Sequence, residues 1–329
     1  MGIEAVARQL VAPGKGILAA DESTGTIGKR FAPKNIENTE PNRRSYRDIL
    51  LGAPNAKDSI SGVILFDETL RQQGLNGRPF PQILNDEGIL AGIKVDAGTT
   101  TMANGEQVTN GLDGLEQRLA EYVGLGAEFT KWRGVITIGD GIPTDENLRE
   151  NAKRLAQFAR LSQEAGMVPI VEPEVLMDGD HSADLCMSVT QRTLEFVFAE
   201  LASAGVNLKG MLLKPNMVIE GTKFVPKLTP EEVAKMTLEC FMAVVPKDVP
   251  GIVFLSGGQS DERAALNLSA MNKGEKKPWE LSFSFGRGLQ QAALEALDGQ
   301  LDDPAHREAA QQAFLKSAKQ CSLARDGKL

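Results

Sequence analysis

The sequence has 329 residues, of which 42% are hydrophobic and 24% are charged, and its formal net charge is −8. This is an ordinary globular composition, and the acidic balance argues against general nucleic-acid binding, which needs a basic surface. No apolar run approaches the roughly 20 residues of a membrane span, and the N-terminus lacks the pattern of a signal peptide. We therefore expect a cytoplasmic protein without nucleic-acid or membrane partners.

Cysteines and histidines are too few to suggest a metal site. Cys186, Cys240 and Cys321 form no CxxC pair, and an odd, sparse set of cysteines is typical of a reducing cytosol. A catalytic zinc usually takes two or three histidines, whereas His181 and His306 lie far apart in the sequence. We expect neither a metal nor another cofactor.

Eight short apolar segments alternate with helical patterns or connecting segments along the chain. They are residues 16–20, 62–66, 92–96, 129–133, 168–174, 211–214, 251–255 and 281–285. Alternating strands and helices predict a parallel sheet, and eight strands predict an α/β fold closed as a (β/α)8 TIM barrel. The alternative, an open doubly wound sheet, lacks the GxGxxG signature after its first strand.

The barrel is predicted to carry an extra helix at each end of the chain. Residues 4–11 follow a helical pattern before the first strand, and residues 304–323 follow another after the last. No composition break or long linker interrupts the chain, so we expect residues 1–329 to form a single domain.

A segment rich in glycine, hydroxyl groups and cations follows the first strand. Residues 24–30 are predicted to form a loop, and their spacing does not match a Walker loop. Such a loop could hold a phosphate through backbone N–H groups, hydroxyls and cations, or it could be a simple turn.

Charged or polar residues stand at the carboxyl ends of nearly all the predicted strands. In a barrel these ends meet at the top face, where active sites lie. One charged strand end is usually a solvated tip, but this many, on different strands, predict a catalytic site. The residues are Asp21, Lys94, Asp96, Lys131, Arg133, Glu172, Glu174, Lys214, Ser256 and Arg287.

Lys214 is the candidate nucleophile among these residues. It ends an apolar run, and Pro215 prevents the run from continuing as a regular strand. Poor solvation there should lower the pKa of Lys214, and the like charge of Lys131 should lower it further, which favours attack on a carbonyl to form a Schiff base. The alternative is a lysine that ends a strand and reaches water. Lys131 and Arg133 share one face and, as like charges, need an anion between them.

The other strand ends predict acid–base and phosphate chemistry. Glu172 and Glu174 share a face and should compete for protonation, so that one acts as a general acid while the other stays ionised. Residues 256–258 and 286–287 follow the last two strands and match the phosphate site described for barrels. With a second anion site at residues 23–30, the pattern predicts a bisphosphorylated carbonyl substrate.

Seven segments carry a more specific signal. They are LAADESTG at 18–25, GIKVD at 92–96, KWR at 131–133, VEPE at 171–174, LLKPN at 212–216, FLSGGQS at 254–260 and GR at 286–287. Together they resemble class I fructose-1,6-bisphosphate aldolase over nearly the whole chain. The resemblance implies a lyase of glycolysis and gluconeogenesis that reversibly cleaves fructose 1,6-bisphosphate to dihydroxyacetone phosphate and glyceraldehyde 3-phosphate.

The resemblance also implies roles for individual residues. It makes Lys214 the Schiff-base lysine and Glu172 the main acid–base group, with Asp21, Lys131 and Glu174 assisting. It places a ketose-end phosphate at Ser256, Gly257, Gly258, Ser284, Gly286 and Arg287. It places the other phosphate at Ser23, Thr26, Arg30, Lys94 and Arg133, and it links Arg43 to substrate binding. The family tends to form tetramers, so a homo-oligomer is expected.

The chain departs from its animal relatives in three places. Thr26 and Ala97 stand where those relatives often carry serine and lysine, and the chain ends in Gly-Lys-Leu where they end in a flexible tail with a terminal tyrosine. The only tyrosines are Tyr46 and Tyr122. We therefore expect a tail-less member of the family, either of bacterial origin or shortened at its C-terminus. Two alternatives remain: a transaldolase-like Schiff-base aldolase with one phosphate site, and a sugar-phosphate-binding barrel without catalysis.

Overall fold

A closed barrel of eight parallel strands forms the centre of the computed structural model, which describes residues 1–329. The strands of the chain are β1 (Gly16–Ala20), β2 (Ile60–Leu65), β3 (Leu90–Lys94), β4 (Thr99–Thr101), β5 (Gln107–Thr109), β6 (Phe129–Ile136), β7 (Val168–Val175), β8 (Leu212–Leu213), β9 (Gly251–Phe254) and β10 (Glu280–Phe285). Around the barrel the order is β1, β2, β3, β6, β7, β8, β9 and β10, and β10 pairs with β1. The predicted TIM barrel and its eight strands are confirmed.

Twelve α-helices accompany the strands. They are α1 (Ile3–Leu10), α2 (Thr24–Phe31), α3 (Glu40–Leu51), α4 (Asp67–Arg71), α5 (Phe80–Asp86), α6 (Leu115–Gly124), α7 (Asp145–Glu164), α8 (Ala183–Ser203), α9 (Pro230–Val244), α10 (Asp261–Asn272), α11 (Arg287–Leu297) and α12 (Pro304–Arg325). The additional helices predicted at the two ends of the chain are α1 and α12. No helix of the chain is both long enough and apolar enough to span a membrane.

Residues that point into the barrel change from apolar to charged along each strand. In β7 the inward series is Val168, Ile170, Glu172 and Glu174, because successive side chains of a strand point to opposite faces. Other strands change in the same way, from Ile17 and Ala19 to Asp21 after β1, from Phe129 to Lys131 and Arg133 in β6, and from Leu212 to Lys214 after β8. The charges therefore converge at the carboxyl ends of the strands.

The lower half of the barrel is a packed apolar core. Helix α1 closes it from below, placing Val6 and Leu10 against the inward residues of the strands. The ring of Phe129 lies where a Cβ of Gly92 would stand, and it would also contact a Cβ of Gly62 at 3.1 Å. These two glycines leave room for the aromatic ring, so the core is filled and supports the charged layer above it.

The predicted loop at residues 24–30 is wrong, because this segment forms α2. The Ser23 side chain caps the helix by accepting from the Thr26 N–H at 3.4 Å. Ile27 and Phe31, four residues apart, are 1% and 0% exposed and bury the inner face of the helix. Capping and burial therefore outweigh the low helix propensity of the glycines.

A hairpin that the sequence did not predict follows β3. Strands β4 and β5 pair antiparallel, and Thr99 lies opposite Thr109. These threonine-rich strands are short and largely lack buried apolar residues, so they carry no clear hydrophobic pattern. The hairpin extends beside the carboxyl ends of the barrel strands and contributes Thr99 and Thr109 to the cavity there.

Candidate active site

A cavity of about 700 Å³, the top cavity, opens at the carboxyl ends of the barrel strands. All of the predicted site residues except Arg43 line it. They are Asp21, Ser23, Thr26, Arg30, Lys94, Lys131, Arg133, Glu172, Glu174, Lys214, Ser256, Gly257, Gly258, Ser284, Gly286 and Arg287. Positions spread over more than 260 residues of sequence therefore meet in one place because the strands close into a barrel.

The carboxylate of Glu172 lies between two ammonium groups on the floor of the top cavity. Its Oε1 is 3.0 Å from Lys214 Nζ, and its Oε2 is 3.2 Å from Lys131 Nζ without hydrogen-bond geometry. All three side chains are about 5% exposed or less. The sequence predicted that Lys131 acts on Lys214 as a like charge, and the structure adds that a carboxylate separates the two.

Lys131 is surrounded by carboxylates. Its Nζ lies 2.7 Å from Asp21 Oδ2 and 4.0 Å from Asp96 Oδ2, in addition to its contact with Glu172. Burial alone would lower the pKa of Lys131, but these three carboxylates raise it well above its usual range. Lys131 therefore stays cationic and cannot serve as the neutral amine that attacks a carbonyl.

The acids on the cavity floor are held ionised. Burial alone would raise the pKa of Asp21, but the ammonium groups of Lys131, Lys214 and Lys94 outweigh burial and lower it to about 2. Burial likewise opposes ionisation of Glu172, and Lys131, Lys214 and Arg133 overcome it, so the pKa of Glu172 is lowered. In the resting site both carboxylates can accept a proton at neutral pH.

Glu174 has a cationic partner of its own. Its Oε2 accepts from Nε of Arg133, and Glu174, Glu172 and Asp96 raise the pKa of that guanidinium although burial opposes this. Glu174 thus pairs directly with Arg133, whereas Glu172 lies against Lys131 and Lys214. The expected competition between the two glutamates for one proton stays a prediction. The anion expected between Lys131 and Arg133 is supplied by carboxylates of the chain itself.

Donors without an acidic partner converge near the start of α11. Arg287 is the one cation lining the top cavity without a carboxylate at ion-pair distance, and its Nη2 donates to the carbonyl of Gln259 at 2.6 Å. The hydroxyl of Ser284 is buried and has no hydrogen-bond partner. These groups and the first N–H groups of α11, which begins after Gly286, are suited to an anion such as a phosphate.

A second polar region lies at the start of α2. Ser23 Oγ and Thr26 Oγ1 are 3.1 Å apart and both line the top cavity. Arg30 also faces the cavity and donates to Oε1 of Glu22. Glu22 is 8% exposed and also accepts from Arg47, at 2.6 Å. The buried carboxylate of Glu22 therefore holds the guanidinium of Arg30 in place at the cavity.

Arg43 lies apart from the other predicted site residues. Its Nε and Nη2 donate to the two carboxylate oxygens of Glu68 at 2.8 and 2.6 Å, and the residue does not line the top cavity. Glu68, which binds this guanidinium in a bidentate manner, is 25 positions away in the sequence. Nothing in the sequence around Arg43 indicates this pairing.

Several lining residues were not assigned by the sequence. They are Ala19, Glu22, Asp96, Gly98, Thr99, Thr109, Val135 and Leu255. Asp96 was noted at a strand end without a role, although its Oδ1 lies 2.6 Å from Lys94 Nζ. Glu22 could have been found from its position beside Asp21, whereas the hairpin threonines gave no signal.

The charge of the top cavity suits an anionic ligand. Six cationic side chains against five acidic ones line it, in a chain whose net charge is −8. The excess positive charge is concentrated where Arg287 has no acidic partner. No group of three or more histidine, cysteine, aspartate or glutamate side chains is arranged to hold a metal ion.

Comparison with known proteins gives one family. A family model for "Fructose-bisphosphate aldolase class-I" matches residues 2–329. The chain is 51% identical to a "Probable fructose-bisphosphate aldolase class 1" of Xanthomonas campestris, over 98% of this chain and 96% of that protein. It is 51% identical to the cytoplasmic fructose-bisphosphate aldolase isozyme of Spinacia oleracea, over 98% of this chain and 90% of that protein.

A solved structure agrees with these relatives. Fructose-bisphosphate aldolase from Plasmodium falciparum, crystallised with TRAP and a small-molecule inhibitor, superposes with a TM-score of 0.96 at 46% identity. The match covers 99% of this chain and 94% of that one. With its barrel, its buried lysine–glutamate pair and a family match along nearly its full length, the chain belongs to the class I fructose-bisphosphate aldolases and is a carbon–carbon lyase.

Proposed function

We propose that Lys214 is the Schiff-base lysine with which this aldolase reversibly cleaves fructose 1,6-bisphosphate. The observation that carries the assignment is the 3.0 Å contact between Lys214 Nζ and Glu172 Oε1 on the floor of the top cavity. Lys131 is a poor competitor because three carboxylates hold its ammonium charged. Lys94 lies nearer the rim and is paired with Asp96.

Glu172 moves the protons of the Schiff-base steps. As a carboxylate it takes a proton from the Lys214 ammonium, and the neutral amine adds to the ketose carbonyl. The protonated Glu172 then donates to the carbinolamine hydroxyl, which leaves as water and gives the iminium. Lys131 keeps the carboxylate charge compensated throughout, because its own pKa is raised.

The iminium accepts the electron pair of the breaking carbon–carbon bond. Asp21 or Glu172 takes the proton of the hydroxyl on the departing carbon of the breaking bond, and that carbon leaves as the carbonyl carbon of the aldehyde product. The enamine that remains is protonated at carbon, and water hydrolyses the second imine to release dihydroxyacetone phosphate and free Lys214. Asp21 is ionised at neutral pH, because nearby ammonium groups lower its pKa to about 2 although burial opposes this, and its carboxylate is therefore free to accept the proton.

Two anion regions would orient the bisphosphate across Lys214. The region of Arg287, Ser284 and the α11 N-terminus holds the ketose-end phosphate, with Ser256, Gly257 and Gly258 beside it. The region of Ser23, Thr26, Arg30, Lys94 and Arg133 holds the other phosphate. A ligand spanning both would place its carbonyl over the floor of the cavity, where Lys214 lies.

We further propose the setting of the enzyme. Residues 1–329 act as one domain that works in the cytoplasm, in keeping with the cytosolic names of plant relatives. The assembly is a homo-oligomer, with a tetramer suggested by the family. Its substrate is a sugar phosphate, and we expect neither nucleic-acid nor membrane partners.

Borohydride trapping tests the assignment directly. The protein is incubated with dihydroxyacetone phosphate, reduced and digested, and the modified lysine is mapped. We expect modification at Lys214, no trapping or cleavage by Lys214→Met, and continued trapping by Lys94→Met as the matched control. Modification at Lys131 or Lys94 in the wild-type protein would refute the assignment.

Substrate assays separate the two alternatives. A transaldolase-like enzyme needs only one phosphate site and would gain little from a second phosphate, whereas we expect cleavage of fructose 1,6-bisphosphate to exceed that of fructose 1-phosphate. A barrel that only binds sugar phosphates would bind them without turnover.

A further inference from the structure

The main-chain pairing between the strands of Lys214 and Glu172 covers only two residue pairs. Strand β7 runs to Val175, but β8 contains only two residues, and its register with β7 ends at Val171 opposite Leu213. The last regular bond joins the N–H of Lys214 to the carbonyl of Val171 at 2.8 Å. Pro215 follows and has no N–H to continue the ladder.

The side chain of Asn216 takes over where this pairing stops. Its Oδ1 accepts from the N–H of Val175 at 3.0 Å, which satisfies a strand β7 donor that β8 no longer reaches. Because a backbone N–H can only donate, this contact also identifies the amide oxygen. Asn216 is 1% exposed and does not line the top cavity.

The same amide also reaches a helix. Its Nδ2 donates to Thr190 Oγ1 on α8 at 3.0 Å and to the carbonyl of Met217 at 3.1 Å. Thr190 is 1% exposed, so this contact is shielded from water. One side chain thus joins the chain after Lys214 to the end of β7 and to α8.

We propose that Asn216 is a positioning residue that holds Lys214 and Glu172 in register for the Schiff-base steps. Glu172 lies three residues before Val175 on β7, and Lys214 lies two residues before Asn216. The hydrogen bonds of Asn216 with Val175 and Thr190, here called the Asn216 clamp, therefore connect the two segments that carry the reacting side chains, from outside the cavity. Without these hydrogen bonds the ends of β7 and β8 can separate. Proton transfer between Lys214 Nζ and Glu172 Oε1, which lie 3.0 Å apart, then becomes slower. The inference rests on the proposed role of Lys214.

A merely structural role for Asn216 predicts something different. In that case its loss would lower stability, and activity would fall only with the folded fraction. A positioning role predicts a slower chemical step in protein that is fully folded. Displacements of about 1 Å at a catalytic pair can slow the reaction on the order of 100-fold, which makes the two cases separable.

The experiment uses Asn216→Ala and the pair Thr190→Val and Thr190→Ser in the full chain. We expect Asn216→Ala to lower kcat and the rate of borohydride trapping with dihydroxyacetone phosphate by roughly 10- to 100-fold, with little change in KM. Thr190→Val should lower both rates by a smaller factor than Asn216→Ala does. Thr190→Ser should leave both rates near their wild-type values, because serine keeps the hydroxyl. The matched control is Asn272→Ala, which removes an amide bridging α10 and β10 away from the top cavity.

Three results would overturn the inference. One is a folded Asn216→Ala protein with wild-type kcat and trapping rate. Another is a loss that Asn272→Ala reproduces at equal thermal stability. If Asn216→Ala does not fold, the Thr190 pair decides, and equal trapping rates for Thr190→Val and Thr190→Ser refute the clamp. Trapping of the wild-type protein at a lysine other than Lys214 would instead refute the proposed function.

Discussion

Asp21 Oδ2 and Lys131 Nζ lie 2.7 Å apart, although their strands, β1 and β6, are not neighbours in the barrel. The ion pair therefore crosses the interior of the barrel above its apolar core. It joins two walls of the top cavity that lie three strands apart in the barrel, and Lys131 also contacts Glu172 beside it. Such a buried pair makes the stability of the fold sensitive to acid.

Asp21→Asn tests this relationship through pH. Folding lowers the pKa of Asp21 from 3.8 to about 2, so its stabilising contribution is complete above about pH 4 and is lost as the pH falls toward 2. We expect wild-type protein to exceed the variant in free energy of unfolding by about 2 kcal/mol at pH 5, with the difference shrinking on acidification. Urea denaturation across this pH range measures it. A difference independent of pH would mean that Asp21 does not carry the charge of the pair.

Arg287→Ala should weaken binding of dihydroxyacetone phosphate more than it slows imine formation. Arg287 is the lining cation without an acidic partner, and a charged contact to phosphate contributes roughly 1.5–3 kcal/mol, or about 10- to 150-fold in affinity. Calorimetric titration measures the affinity, and borohydride trapping at saturating ligand measures the imine step.

Arg43→Ala is the matched control for that experiment. The guanidinium of Arg43 is already bound to both carboxylate oxygens of Glu68 outside the top cavity, so its loss should leave the affinity nearly unchanged. Equal loss of affinity in the two variants would show that general positive charge, and not a site at Arg287, attracts the phosphate.

Chelation should leave cleavage at its full rate. In the proposed mechanism the iminium on Lys214 accepts the electrons of the breaking bond, so no metal is needed for that step. Activity is measured before and after exhaustive dialysis against EDTA. Loss of cleavage that zinc restores would point to metal-dependent aldol chemistry and would contradict the Schiff-base mechanism.

The sequence predicted the barrel because its strands are short apolar runs with a repeated strand–helix order. It predicted most of the site because inward residues of a strand change from apolar to charged at the carboxyl end, as in the series from Ile170 to Glu172. It could not predict pairings between distant segments. Arg43 meets Glu68, and Glu22 meets Arg47, only after the helices have packed.

Local patterns were also misleading where packing decides conformation. Two glycines in residues 24–30 suggested a loop, but burial of Ile27 and Phe31 makes this segment helical. A Cβ at Gly28 would overlap the amide of Asn38, so that glycine serves the close approach of two segments and not flexibility. The sequence analysis considered the charge of Lys131 beside Lys214, but it did not predict that Lys131, Lys214 and Arg133 together lower the pKa of Glu172, which burial alone would raise.

Protonation of the enamine should limit turnover more than carbon–carbon cleavage does. Neither tyrosine of the sequence lines the top cavity: the hydroxyl of Tyr46 donates to Gln290 at 3.2 Å, and that of Tyr122 to Asp67 at 2.9 Å. Glu172 is held ionised in the resting site, so it can donate to the enamine only a proton that it has taken up earlier in the cycle. We therefore expect the enamine to accumulate during cleavage, where ferricyanide oxidation detects it, while exchange of the product's C–H proton with solvent stays slow.

The tyrosines provide the control for this prediction. Tyr46→Phe and Tyr122→Phe should leave both the enamine level and the rate of proton exchange unchanged, because each phenol donates its hydrogen bond to a residue outside the cavity. Glu172→Gln should slow imine formation itself, since the amide cannot take the proton of the Lys214 ammonium. If wild-type exchange greatly outpaces cleavage and no enamine accumulates, an acid within the barrel protonates the enamine efficiently. Cleavage or product release would then limit the rate, and the prediction would be wrong.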